Sequence, residues 1–275
     1  MMLRIWTATA LAVALPIGAF AQTPLVDVML RHGIDVKRGA FDVAFDAYAA
    51  PTIPVTPGSF ATPLAVLTST TGKDQIDGAY AFGILAGRSG HAAAAQELDA
   101  AGQSLVQMLH SEDLRSRIAG ARVAGRVFAA SFERPVARPA VTASLVDALF
   151  GMLNQDAEIE QLAAMDALGL LREATAVASL TERYQYYRDR RKRALAGGAI
   201  EALARIGDGS SIELVKQLIG DRWFDGRDAT ALAVTFARER LLKDGSIAAI
   251  QQALNDKSRR NQARGYLAEL GAAVP

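Results

Sequence analysis

One short phrase recurs along this chain, and it limits the fold more than any other feature. Asp77-Gly-Ala-Tyr-Ala-Phe-Gly83, Ala119-Gly-Ala-Arg-Val-Ala-Gly125, Ala163-Ala-Met-Asp-Ala-Leu-Gly169 and Gly198-Ala-Ile-Glu-Ala-Leu-Ala204 each end on a small residue preceded by an apolar one. Fainter copies end near Ala237 and Gly271, so the reference positions are separated by 42, 44, 35, 33 and 34 residues. Small residues at that spacing mark a helix whose backbone sits close to its neighbours. Upstream of each full copy the spacing predicts a second amphipathic helix: Leu105, Met108 and Leu109 precede Ser111-Glu-Asp113, and Leu145, Leu149 and Leu153 precede Asn154-Gln-Asp156. Apolar residues three and four apart lay a stripe on one helix face, and the polar clusters supply turns and caps. A helix pair of this length cannot bury its own stripe. It must lean on the next pair, and several pairs in file make one core.

Composition agrees with helices rather than sheets: 51% of the 275 residues are hydrophobic, yet only 7% are aromatic. The formal charge of +1 supplies no global field for polyanions, which argues against nucleic acid as a partner. Met1–Ala21 has the layout of an export signal, with Arg4, an apolar stretch to about Leu15, Pro16 and an Ala19-Phe20-Ala21 ending. Cleavage there leaves Gln22 first in a neutral mature chain without a membrane span; the alternative is a retained anchor. The expected location is periplasmic or secreted, and the absence of cysteine suits an oxidising compartment. Leu25 to about Ala50 has the spacing of one or two short helices, whereas Pro51, Pro54, Pro57 and Pro63 predict an irregular segment to Thr71. The expected division is 1–21 leader, 22–73 N-terminal helices and Pro-rich segment, and 74–275 repeat domain.

The pattern Leu-x-x-x-Leu, Asp, Arg, Ala-x-x-Ala-Leu-Gly resembles the HEAT repeat family, including its shorter HEAT-like or PBS-lyase-type units. Leu145 to Leu171 and Leu180 to Gly207 carry it best, and Ile247 to Gly271 keeps Leu254, Asp256, Arg260, Ala263, Leu270 and Gly271. The chain departs from the pattern at Tyr184 to Arg193, which lengthens a unit, and at Arg222-Trp-Phe-Asp-Gly226. The resemblance implies an all-α fold, an α-solenoid (superhelix) of about five to six helical hairpins. It also implies a scaffold or adaptor that binds other proteins along one face, an analogy at the level of fold.

Catalytic signatures are sparse. Leu30-Arg31-His32-Gly33 matches only the opening of the histidine phosphatase signature, and the next Arg and Pro are missing. His32 therefore reads as a helix-end histidine. His91 and His110 have no second His or Cys at metal-ligand spacing, no glycine-rich phosphate loop opens a helix, and no cofactor is implied. Trp223 and Phe224 read equally as an exposed anchor or as a plug in an irregular unit.

Two sets of binding residues emerge. Within the second helices, the position three before the reference residue and the position just after it differ by four and so share a face. They hold Tyr80, Ile84, Arg122, Arg126, Asp166, Glu201, Arg205 and Arg238, a mixed ladder suited to a protein partner. The basic run Arg188, Arg190, Arg191 and Arg193, with Tyr184, Tyr186 and Tyr187 beside it, is a candidate for an anionic ligand or else a solvated face over packed tyrosines. A rival expectation is an envelope-associated hydrolase or lyase-like enzyme with its site between the N-terminal segment and the solenoid.

Overall fold

The computed structural model describes residues 56–89, 93–129, 139–208 and, further on, 214, 247, 250–252, 254, 255, 257, 260–269 and 271–273. The leader, the Leu25–Ala50 helices, Arg31–Gly33, His91, Trp223, Phe224, Arg238 and the copy ending at Ala237 lie outside these residues.

Every regular element among the described residues is helical. A 3-10 turn, Pro57–Phe60, leads into α1 (Ala61–Ser69), followed by α2 (Gly72–Ser89), α3 (Ala95–Leu109), α4 (Leu114–Val127), α5 (Val141–Met152) and α6 (Glu158–Leu170). After a second 3-10 turn, Ala174–Ala176, come α7 (Val177–Asp189), α8 (Arg193–Ile206) and, separated in sequence, α9 (Arg260–Glu269).

The first eight helices are four hairpins, each odd helix packing on the even one after it. The hairpins then stack: α2 on α4, α4 on α6 and α6 on α8 in one file, α1 on α3 and α3 on α5 in the other. One hydrophobic cluster runs through them from Phe60 to Ile206. A smaller one gathers Ile250, Ala263 and Leu267 around α9. The chain is thus an all-α helical repeat, with four hairpins described.

The even helices meet at the small residues that define the repeat. A Cβ on Gly125 would lie 2.8 Å from the Ala167 Cα, and one on Gly169 would lie 2.9 Å from the Ala202 Cα. In both junctions the reference residue of one hairpin touches the position two before the reference residue of the next. Neither crossing has room for a side chain, which is why the recurring phrase ends in glycine at these positions.

The proline-rich segment behaves differently from its sequence expectation. Residues 57–69 form the 3-10 turn and α1, so the first hairpin opens at Ala61 and not at Asp74. Pro57 and Pro63 both sit in opening turns, where a backbone N–H has no intrahelical acceptor, so losing it costs nothing there. A Cβ on Gly78 would approach the Leu67 backbone nitrogen to 2.7 Å, so this first pair is packed as closely as the later ones.

Caps and turns fall where polar clusters predicted them. Asp113 opens α4 by accepting from the backbone N–H groups of Arg115 at 3.2 Å and Ser116 at 3.3 Å. Gly207 closes α8 at φ 68°, donating its N–H to the Leu203 carbonyl. Arg172 after α6 and Arg191 after α7 adopt the same left-handed geometry without being glycine.

Candidate functional site

Four ladder residues converge. Arg122 from α4, Asp166 from α6, and Glu201 and Arg205 from α8 line one groove of about 240 Å³ on the even file, floored by Leu162, Ala163, Gly198 and Ala202. Each arrives by helical register, because i and i+4 positions stand one above the other on a helix face. Arg205 is the hub. It pairs with Asp166 across the hairpin junction and with Glu201 one turn back at 2.7 Å, while Arg172 donates to its backbone carbonyl. The Arg205 side chain is 15% exposed, whereas Asp166 and Glu201 are 36% and 39% exposed, so the carboxylates face the groove with water access. Such an arrangement holds fixed charges of both signs at one surface.

The other described ladder residues do not join it. Tyr80 and Ile84 are 7% and 3% exposed, which removes both from any open surface. The middle of α2 is buried on all sides, from Ala79 to Leu85, as expected of a helix apolar all round. The charge-free run from Gly78 to Ala86 was the available signal, since the equivalent stretch of α4 carries Arg122 and Arg126. Arg126 is half-buried and does not line the groove. Leu162, which helps shape the floor, carries no chemistry and left no mark in the sequence.

The basic run is partly tied to its own helix. Arg188 donates to the Tyr184 hydroxyl at 2.9 Å, and the Arg190 guanidinium lies 3.6 Å from the Tyr186 ring centroid. Tyr184 and Tyr187 are fully buried beneath the helix, and Tyr186 is exposed. Lys192 pairs with Glu158 at 3.1 Å. Arg191, in the turn to α8, and Arg193, the first residue of α8, are exposed.

One charged pair had no sequence signal at all. Arg117 in α4 grips the buried Glu160 of α6 through Nε at 2.5 Å and Nη2 at 3.0 Å, and also donates to the carbonyls of Ser111 and Glu112. The hydrogen bond that Arg117 donates to Glu160 raises its guanidinium pKa above the ordinary value, against the opposing effect of burial. This pair joins hairpins and is closed to solvent on the carboxylate side. Burial tends to raise the Asp113 pKa, but the amide donors of Arg115 and Ser116 outweigh it and hold that carboxyl below its ordinary 3.8.

Among the described residues no group of His, Cys, Asp and Glu is arranged to hold a metal ion, and no helix is long and apolar enough to cross a membrane. His110 caps the end of α3 and is exposed. The sequence matches no family profile and no curated protein. Among solved structures it is similar to the crystal structure of an engineered protein from the Northeast Structural Genomics Consortium. That match has 18% identity and a TM-score of 0.31, and covers 78% of this chain and 79% of the other. At that score the likeness carries no argument.

Proposed function

We propose that this protein is an exported HEAT-like solenoid that acts as a scaffold or adaptor, binding another protein along the face of its even helices. The observation that carries this reading is the groove itself. Three neighbouring even helices, α4, α6 and α8, deliver Arg122, Asp166, Glu201 and Arg205 to one surface in repeat register. Charges held by hairpin packing need little ordering on binding, which favours recognition of a complementary protein surface. The A-x-A ending at Ala21 supports export, with the mature chain beginning at Gln22.

The test is crosslinking in the native host from a photo-reactive residue placed at Arg122, followed by mass spectrometry. One protein recovered reproducibly, and lost when Asp166→Arg and Glu201→Arg reverse the groove's charge, is the expected result. Recovery of nothing, or of the same protein regardless of charge reversal, overturns the reading. N-terminal sequencing of the exported chain checks the Gln22 start separately.

A further inference from the structure

The odd file does not continue evenly. α7 packs on α8 but makes no packing on α5 comparable to that of α3 on α5, and a cleft of about 650 Å³ opens between α7 and the turn joining α5 to α6. That volume lies within the roughly 300–1,000 Å³ typical of small-molecule sites. No residue lines both this cleft and the even-file groove.

Its wall is a connected polar network. Arg183 donates to the Asn154 side chain at 2.6 Å and to the Tyr187 hydroxyl at 3.1 Å; Tyr187 in turn donates to Gln161 at 2.8 Å, and Gln161 donates to the Gln155 carbonyl. The third nitrogen of that guanidinium, Arg183 Nε, is buried and has no acceptor among the described residues. The even-file crossings close on glycine and alanine, with the charges of Arg117 and Glu160 and of Arg205 and Asp166 paired across them. Here the chain keeps an orphaned donor and three amides at a place where apolar packing would serve stability better.

The rest of the lining adds the missing partners for one ligand chemistry. Asp156 and Glu182 provide acceptors, Lys192 a cation, and Tyr186 an aromatic wall that is 48% exposed and steadied by Arg190. The formal charges of the lining side chains cancel, which disfavours a simple anion. Donors and acceptors side by side with an aromatic surface match hydroxyl groups, each of which both donates and accepts, on a ring with an apolar C–H face.

We propose that the cleft between α7 and the α5–α6 turn binds a neutral, hydroxyl-rich small molecule, a mono- or disaccharide. The amides and carboxylates engage its hydroxyls, and Tyr186 covers its apolar face. This holds whether or not the even-file groove captures a protein.

The experiment is saturation-transfer NMR and titration on the mature chain. The saccharides are glucose, galactose, N-acetylglucosamine, cellobiose and chitobiose, with inorganic phosphate as the anion probe. The expected result is saturable binding of at least one saccharide, weakened about tenfold or more by Tyr186→Ala and by Glu182→Ala and retained by Tyr186→Phe. Both altered side chains are exposed, so far-UV circular dichroism should stay unchanged. Binding of none of these saccharides, binding indifferent to Tyr186→Ala, or binding of phosphate in their place overturns the proposal.

Discussion

The even helices and the odd helices meet their neighbours under different rules. Even helices cross at glycine against alanine, Gly125 on Ala167 and Gly169 on Ala202, with backbones nearly touching and charged pairs bridging the same junctions. Odd helices meet through larger side chains. A Cβ on Gly102 of α3 would strike Val141 of α5 at 2.5 Å, and by α7 the file has opened into a polar cleft. One file therefore sets the spacing between hairpins, and the other absorbs their differences in length.

The sharpest way to break this contrast is Arg117→Met. It strands the Glu160 carboxylate in the even-file junction, and unfolding in urea should show a loss of about 3–5 kcal/mol. Adding Glu160→Leu should restore most of that, because a buried pair replaced whole by apolar groups is close to neutral. Full stability in the single variant would mean the junction does not depend on the pair.

Glycine replacements should separate crossings from open helix. Gly125→Val and Gly169→Val force side chains into backbone contact and should each cost about 1–3 kcal/mol. Gly151→Ala in α5 meets nothing within 4 Å and should gain roughly 0.5–1 kcal/mol. Equal effects at the crossings and at Gly151 would remove the idea of a closely spaced file.

Much of this was legible in the sequence, for a physical reason. A backbone crossing excludes every side chain, so Gly125 and Gly169 had to appear as glycine at fixed register, and the polar turns around Asp113 and Asn154 had to interrupt the apolar stripes. Arg122, Asp166, Glu201 and Arg205 followed from the same register. Tyr80 and Ile84 did not, because shared register says which residues stand together and not whether that face is covered. The opening helix of the first hairpin was missed because Pro57 and Pro63 read as breakers, although an opening turn tolerates them. Arg117 with Glu160, and the α7 cleft, join residues from different hairpins at no repeated spacing, so no local pattern announces them.

Smaller effects come from the caps and the surface. Asp113→Ala should cost about 1 kcal/mol by freeing two amide donors at the start of α4. Since the folded pKa of Asp113 lies below its ordinary 3.8, its contribution is present above that value and lost as the pH falls through the folded pKa. The gap between the native protein and Asp113→Ala should therefore narrow in acid, as read by thermal melts from pH 6 to about 2.5. Smallest of all, Lys192→Met breaks an exposed pair with Glu158 and should move stability by about 0–1 kcal/mol, less in high salt.

The glycine crossings also govern where such a chain can change over time. A residue inserted into α6 would rotate Gly169 away from Ala202 and put a bulky group at the pivot, so the even helices behave as a spine of fixed pitch. The α7 side, with its cleft and its tyrosine-rich helix, has slack. New length and new polar chemistry can enter there without disturbing the neighbouring hairpins, which makes it the side on which descendants of this chain are free to differ.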